Sequence, residues 1–281
     1  MFTNFGETLE DDTRAVRYMG LGAFLMLLLG KVFIPKLKTL QAIDPLESFL
    51  PEYAIPPQGD GLEELESQRK WFEEKADENE RRFLHDTPSD NAHSRRIIYK
   101  IWLRELASRR CVWCWNRDPF ESMGLWTIYG SKGVAIVSTI GRVKECLQEF
   151  AFTGSFAAVA YVHRDTPDHS LSNKDLLKRP YFFKTEPYSF EKELRFVYPI
   201  NPQTFEDERG VMADVDSRKL VQQVIFLAVY PVGRGAILAR VAAERFASAT
   251  AYSYGTINDA VARAYSRPRR YALPVRNPVA A

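Results

Sequence analysis

Tyr181-Phe-Phe-Lys184-Thr-Glu-Pro-Tyr188-Ser-Phe-Glu191-Lys-Glu193-Leu-Arg195, running on into Phe-Val-Tyr198, is the stretch on which the reading of this chain turns. Taken as extended from 191 to 198, it alternates with period two. Glu191, Glu193 and Arg195 then fall on one face and Leu194, Phe196 and Tyr198 on the other. The second face has the composition of a core. The first sets two carboxylates about 7 Å apart beside a guanidinium, with Lys184 shortly upstream. Charges next to a core need partners or a task. One reading is an internal ion-pair network at a sheet edge, in which Arg195 and Lys184 neutralise the two glutamates. The other is a ligand site, in which one carboxylate steadies a cation-like transition state while its neighbour orients the attacking group.

Upstream of this stretch the sequence predicts a short extended segment at 17–19 and an apolar helix over 21–29. Gly30 is its stop, and a strand follows at 31–34 and ends at Pro35. The pentamers Asp44-Pro-Leu-Glu-Ser48 and Asp118-Pro-Phe-Glu-Ser122 both read as helix starts, with Asp as N-cap, Pro in the first turn and Glu completing a capping box. A Pro- and Gly-rich linker at 51–61 leads to a charged helix over 62–84 and a second helix over 94–108, joined by a polar turn at 86–91. These predict a helical hairpin inserted at 62–108. From Cys111 the elements shorten to strands at 111–115, 133–138, 157–161, 193–198 and 221–230, with helices at 119–129, 141–150 and 235–247. The expected fold is α+β, with a mixed or antiparallel central sheet, flanking helices and the inserted hairpin. It forms one domain over 14–250, between a disordered start at 1–13 and a flexible basic tail at 260–281. In that tail Arg263, Arg267, Arg269, Arg270 and Arg276 meet no acidic residue.

With 281 residues, of which 46% are hydrophobic and 13% aromatic, the chain can fill a large core. Its 38 Lys and Arg against 36 Asp and Glu leave a formal charge of +2, so no global field draws it to nucleic acid. Such contact is expected only through the basic tail. The apolar run at 21–29 falls well short of the roughly 20 residues that span a bilayer, and acidic residues precede it, so neither a membrane span nor export is expected. Cys111, Cys114 and Cys146 are too few for a disulfide framework and suit a cytoplasmic protein. Cys111-Val-Trp-Cys114 has the form of half a zinc site. However, Cys146 is distant and His85, His93, His163 and His169 lack ligand spacing, so no metal is expected. The common phosphate-loop, dinucleotide, serine-hydrolase and zinc-protease fingerprints are absent.

Met123-Gly-Leu-Trp126-Thr-Ile-Tyr129-Gly130, followed by Gly133, places two aromatic residues one helical turn apart before a tight crossing into a strand. Trp126 and Tyr129 either clamp a planar ligand, or Trp126 packs in the core while Gly130 caps the helix.

Several motifs occur in a fixed order: Leu28-Leu-Gly-Lys-Val-Phe33, Asp44-Pro-Leu-Glu47, Cys114-Trp-Asn-Arg-Asp118, Met123-x-x-Trp126-x-x-Tyr129 with Gly133-Val, Lys184, and Tyr188-Ser-Phe-Glu191-Lys-Glu193-Leu-Arg195. In this order the chain resembles the bacterial family called domain of unknown function 2971, over about residues 14–247. The resemblance implies a cytoplasmic bacterial protein. A remoter likeness is to ADP-ribosyltransferases, through Arg17-Tyr18 near the start, the helix ending at Gly30, the aromatic helix and the late Glu-x-Glu. It implies NAD as a nucleotide ligand, Glu193 as the catalytic group holding the ribose and Glu191 as the acceptor-orienting partner. Arg17, Tyr18, Trp126, Tyr129, Lys184 and Arg195 would be the ligand-binding residues. The competing expectation is a non-catalytic interaction module that meets a protein partner through 62–108 or uses the basic tail.

Overall fold

The computed structural model describes residues 2–44, 46–48, 69–86, 92–118, 122–129, 133–148, 153–163, 166, 179–200 and 207–226. A seven-stranded sheet runs in the order β1 (Phe2–Asn4), β6 (Gly154–Ala158), β9 (Glu193–Pro199), β4 (Arg110–Asn116), β2 (Arg14–Gly20), β5 (Gly133–Thr139), β11 (Gln223–Phe226). Among the described strands of this sheet only the β1/β6 pair is parallel, and every other neighbouring pair is antiparallel. This is the expected α+β architecture with a mixed sheet. The strand carrying Glu193 and Arg195 is third of the seven. Its charges therefore sit inside the sheet, not at the edge that the ion-pair reading assumed.

The alternation along β9 sorts the interior into layers. Leu194, Phe196 and Tyr198 join Trp113, Trp115 and Phe156 in one core, which α1 (Leu21–Leu28) covers with Phe24, Leu27 and Leu28. Val197 faces the other way with Val112, Ala157, Phe182 and Phe183. There α2 (Leu37–Ile43) contributes Leu37 and the long helix α5 (Ala92–Ser108) contributes Tyr99. Each such side chain is worth about 1.5–3 kcal/mol when fully buried, so this division of faces sets the register of β9. Further along the second face, α6 (Met123–Tyr129) lays Leu125 and Trp126 over Val16, Tyr18, Ala135 and Val137.

Gly30 ends α1 as expected, at φ 75°, with its N–H bonded to the Leu27 carbonyl at 2.9 Å. The chain then enters β3 (Lys31–Pro35), which pairs antiparallel with β10 (Gly210–Asp214) as a separate ribbon.

The structure corrects several expectations. The start of the chain is not disordered: Phe2–Asn4 is an edge strand, because the buried Phe2 ring packs edge-on against Phe196 with centroids 6.0 Å apart. The charged helix is broken, within its described part, into α3 (Arg69–Lys75) and α4 (Glu78–Asp86). Asp77 and Glu80 close a reciprocal capping box at the break. The Glu80 N–H donates to Asp77 Oδ1 at 2.8 Å and the Asp77 N–H donates to Glu80 Oε2 at 3.0 Å. Both pieces pack on α5 through Ala76, Leu84, Ile98 and Ile101.

Asp44 does not start a helix. It closes α2, and 46–48 is a turn. The helix expected from Pro119 is described only from Met123, where the Ser122 side chain accepts the Leu125 N–H at 3.3 Å. The strand at 157–161 is divided between β6 and β7 (Ala160–Val162), the latter parallel to β8 (Phe183–Thr185). The linker at 51–61, the first part of the 62–84 helix, most of the 86–91 turn, the end of the 221–230 strand, the helix at 235–247 and the tail at 260–281 lie outside the described residues.

Candidate functional site

Arg195 is the hub of the site. It is 0% exposed, and its guanidinium spends all five N–H donors. Nε and Nη2 donate to Glu193 Oε1 and Oε2, both at 2.9 Å. Nη1 and Nη2 donate to Glu47 Oε1 and Oε2 at 2.5 and 2.9 Å, and Nη1 also reaches the Tyr181 carbonyl at 2.7 Å. The two carboxylates thus grip one planar cation from either side, each with two hydrogen bonds. Beside them Lys184 Nζ lies 2.6 Å from Glu191 Oε2, 3.3 Å from Glu193 Oε2 and 3.7 Å from Glu47 Oε2. It also sits 4.8 Å from the centroid of the Tyr188 ring.

Glu191 reaches this cluster by a route other than the expected strand. It ends a 3-10 segment, Glu186–Glu191, and Lys192 follows in the left-handed region at φ 41°. The strand therefore begins at Glu193. The bend replaces simple alternation as the device that brings Glu191 alongside Glu193, and the Asn116 side-chain amide holds it by donating to the Glu191 carbonyl. The remaining Glu191 oxygen, Oε1, accepts the Tyr129 hydroxyl at 3.0 Å.

Five of the sequence-predicted residues, Lys184, Glu191, Glu193, Arg195 and Tyr129, thus meet. Trp126 and Tyr18 do not join them. They pack in the core as an edge-to-face pair with ring centroids 5.0 Å apart, and the Tyr18 hydroxyl accepts the Ser122 N–H at 2.9 Å. Half-buried Arg17 donates to the Cys114 carbonyl. Its charge also acts on Glu193 and Tyr129, which places it beside the cluster.

Two participants escaped the sequence reading. The Asp44-Pro-Leu-Glu47 pattern predicts a capping role for Glu47, yet its side chain turns inward, 4% exposed, to meet Arg195. The only signal was its place in a short acidic motif, which a capping role explained equally well. Tyr161 accepts the Glu193 backbone N–H through its hydroxyl at 2.8 Å, a contact that no spacing announces.

The electrostatics follow from the geometry. Burial is the largest influence on Glu193 and opposes its ionisation, but the Arg195 and Lys184 charges and the hydrogen bonds from Arg195 and Cys114 outweigh it and hold it at about 2. For Lys184, burial and the Arg195 charge work against the ammonium. The carboxylates of Glu193, Glu47 and Glu191 overcome both and raise it above its ordinary value. Burial, then the Glu191 charge, pushes the Tyr129 phenol up, and burial pushes Tyr161 up to about 12. The Cys114 thiol is raised by burial and by Glu193, so it stays protonated and serves as a hydrogen-bonding neighbour, not a nucleophile.

Three buried carboxylates, Glu47, Glu191 and Glu193, face the buried cations Lys184 and Arg195, and the Arg17 guanidinium also acts on Glu193, so the charges of the cluster balance. The outer rim is aromatic: Tyr129 is 49% and Phe190 45% exposed, and the Phe190 ring lies against the helix at Gly124. Among the described residues no group of His, Cys, Asp and Glu is placed to hold a metal ion, and no helix is long and apolar enough to cross a membrane. Fold and site together define an α+β protein built around a buried carboxylate and cation network with an aromatic rim. No family model, no curated protein and no solved structure matches the chain.

Proposed function

We propose that this protein is a nucleotide-dependent transferase resembling ADP-ribosyltransferases, with NAD as the donor and the Glu191/Glu193 pair as its centre. The observation that carries the reading is the buried Glu191/Glu193 pair, held side by side by Lys184 and Arg195 next to the half-exposed Tyr129 and Phe190. Carboxylates held rigidly in a site of low dielectric stabilise positive charge that develops on a sugar carbon, and they need no reorganisation to do so. The residues present suit such a ligand: Tyr129 and Phe190 offer exposed aromatic surface to a planar base, and Glu191 offers a carboxylate oxygen to a sugar hydroxyl. NAD, when bound, supplies an activated glycosidic bond. The chain's own part is to position that bond, to keep Glu193 ionised through Arg195 and to orient the acceptor. The same reading keeps the chain with the cytoplasmic bacterial family of domain of unknown function 2971, on the motifs that end in Glu191-Lys-Glu193-Leu-Arg195.

A second reading draws on the saturation of Arg195 and Glu193, which need no ligand to complete their hydrogen bonds. On that reading the network is the keystone of a non-catalytic module that meets a protein partner through 62–108 or the basic tail. Incubating the purified protein with NAD and cell extract while following nicotinamide release separates the two. Release by the wild type that is lost in Glu191→Gln and Glu193→Gln supports the transferase; no release from the wild type defeats it.

A further inference from the structure

We infer that Glu191, not Glu193, is the carboxylate that meets the ligand, and that the Tyr129 hydroxyl holds the place of a ligand hydroxyl. This inference rests on the proposed transferase reading and divides the labour within that site. The argument comes from counting where each carboxylate oxygen is spent. Both oxygens of Glu193 are taken by Arg195, one of them with Lys184 at 3.3 Å, and the residue is 5% exposed. Both oxygens of Glu47 are likewise taken by Arg195. A ligand could reach either only by breaking a buried, charge-assisted, two-pronged contact. Glu191 differs. Its Oε2 is held by Lys184, but its Oε1 has as its hydrogen-bond donor the phenol of Tyr129, a neutral group on a half-exposed side chain.

Tyr129 is built to yield. It is the last residue of α6 and 49% exposed, while Trp126 one turn earlier anchors the helix in the core at 1%. A change of rotamer moves the phenol outward without disturbing that anchor. The group that replaces it must do what it did, namely donate one O–H to Glu191 Oε1. A neutral alcohol satisfies this like for like. A cation would meet the Lys184 ammonium, which already sits 2.6 Å from the other oxygen of the same carboxylate. The ligand class is therefore a hydroxyl-bearing sugar, such as the ribose of a nucleotide, entering beneath the Tyr129 and Phe190 rings. Glu193 and Glu47 become positioning residues that act through Arg195.

Equilibrium binding of NAD, and of ADP-ribose as a probe that lacks nicotinamide, tests this in the wild type and three variants. Tyr129→Phe removes the competing donor and is expected to tighten binding about five- to tenfold, the worth of one exchanged hydrogen bond. Glu191→Gln is expected to weaken it by about tenfold or more. Glu193→Gln is expected to lower the melting temperature, as a carboxylate that acts by holding Arg195 should. Wild-type binding that is unchanged by Tyr129→Phe and Glu191→Gln overturns the inference and leaves the transferase reading standing. Failure of the wild type to bind either probe overturns both. Should Glu193→Gln fail to fold, the Tyr129→Phe and Glu191→Gln pair alone decides.

Discussion

Glu47 and Arg195, 148 positions apart in the chain, close a two-pronged ion pair at 2.5 and 2.9 Å in which neither partner is more than 4% exposed. It ties the turn at 46–48 to the middle of the sheet, and Ser48, in the left-handed region at φ 59°, donates back to Glu47 Oε1 at 3.2 Å. Desolvation makes such a pair of little net gain over an apolar replacement, but removing one partner strands the other charge. Glu47→Ala is therefore expected to cost about 3–5 kcal/mol, read from the urea midpoint. Arg195→Lys should cost a comparable amount, because an ammonium cannot serve two carboxylates in a plane. A Glu47→Ala midpoint equal to that of the wild type would show that the turn is not held this way.

Stability should fall in acid for a definable reason. Glu193 is depressed from 4.5 to about 2 in the folded state, so the unfolded chain takes up its proton first as pH drops. The stabilisation is fully present above about pH 4.5 and is lost as pH falls toward 2. A shift of this size is worth on the order of 3 kcal/mol. Lys184 is displaced upward, and its contribution has the opposite sign: present below its ordinary value near 10.5 and lost as pH rises through the higher folded value. Melting temperatures across pH 2 to 6 should show the acid limb, and that limb should flatten in Glu193→Gln.

The capping box between α3 and α4 gives a local test. Asp77→Ala removes the acceptor of the Glu80 N–H and should cost about 1 kcal/mol. Glu80 does more than cap, since its carboxylate also meets Arg104 at 3.1 Å and Lys100 at 3.2 Å and is 6% exposed. Glu80→Ala should therefore exceed Asp77→Ala in the same denaturation measurement. Equal costs would mean that the two cations contribute nothing.

Trp126 belongs to the core, so Trp126→Ala should destabilise by about 3–5 kcal/mol through lost burial and the cavity left behind. The nearby Gly133→Ala should be as severe, because an added Cβ would stand 1.8 Å from the Met19 carbonyl oxygen across the β2/β5 ladder. Thermal unfolding of each variant measures the loss, and a Gly133→Ala protein that melts with the wild type would refute that close approach.

Periodicity carried the reading of the fold furthest where one face of an element is buried. In β9, Leu194, Phe196 and Tyr198 are core, and Glu193 and Arg195 lie opposite them, as alternation requires. The apolar run at 21–28, its Gly30 stop and the strand after it follow the same logic. Local signals misled where two structures share one sequence pattern. Asp-Pro-Leu-Glu caps a helix as readily as it makes a turn, and the charged run through Asp77 and Glu80 reads as one helix or two capped ones. The short strand at 2–4 has too few residues to show a period at all; its pairing with 154–156 is what makes it a strand.

Residue types and their spacing along the chain were thus enough to establish an α+β protein and to single out Lys184, Glu191, Glu193 and Arg195 as charges with a shared purpose. Burial settled Trp126 and Tyr18 as core. Long-range contact brought Glu47 to Arg195, and the bend at Lys192 gave Glu191 its neighbour in Tyr129. Periodicity is a property of a dozen neighbouring residues and survives in the linear text. Partnership between charges depends on distance in space, which arises only once the apolar faces on both sides of the sheet have been buried.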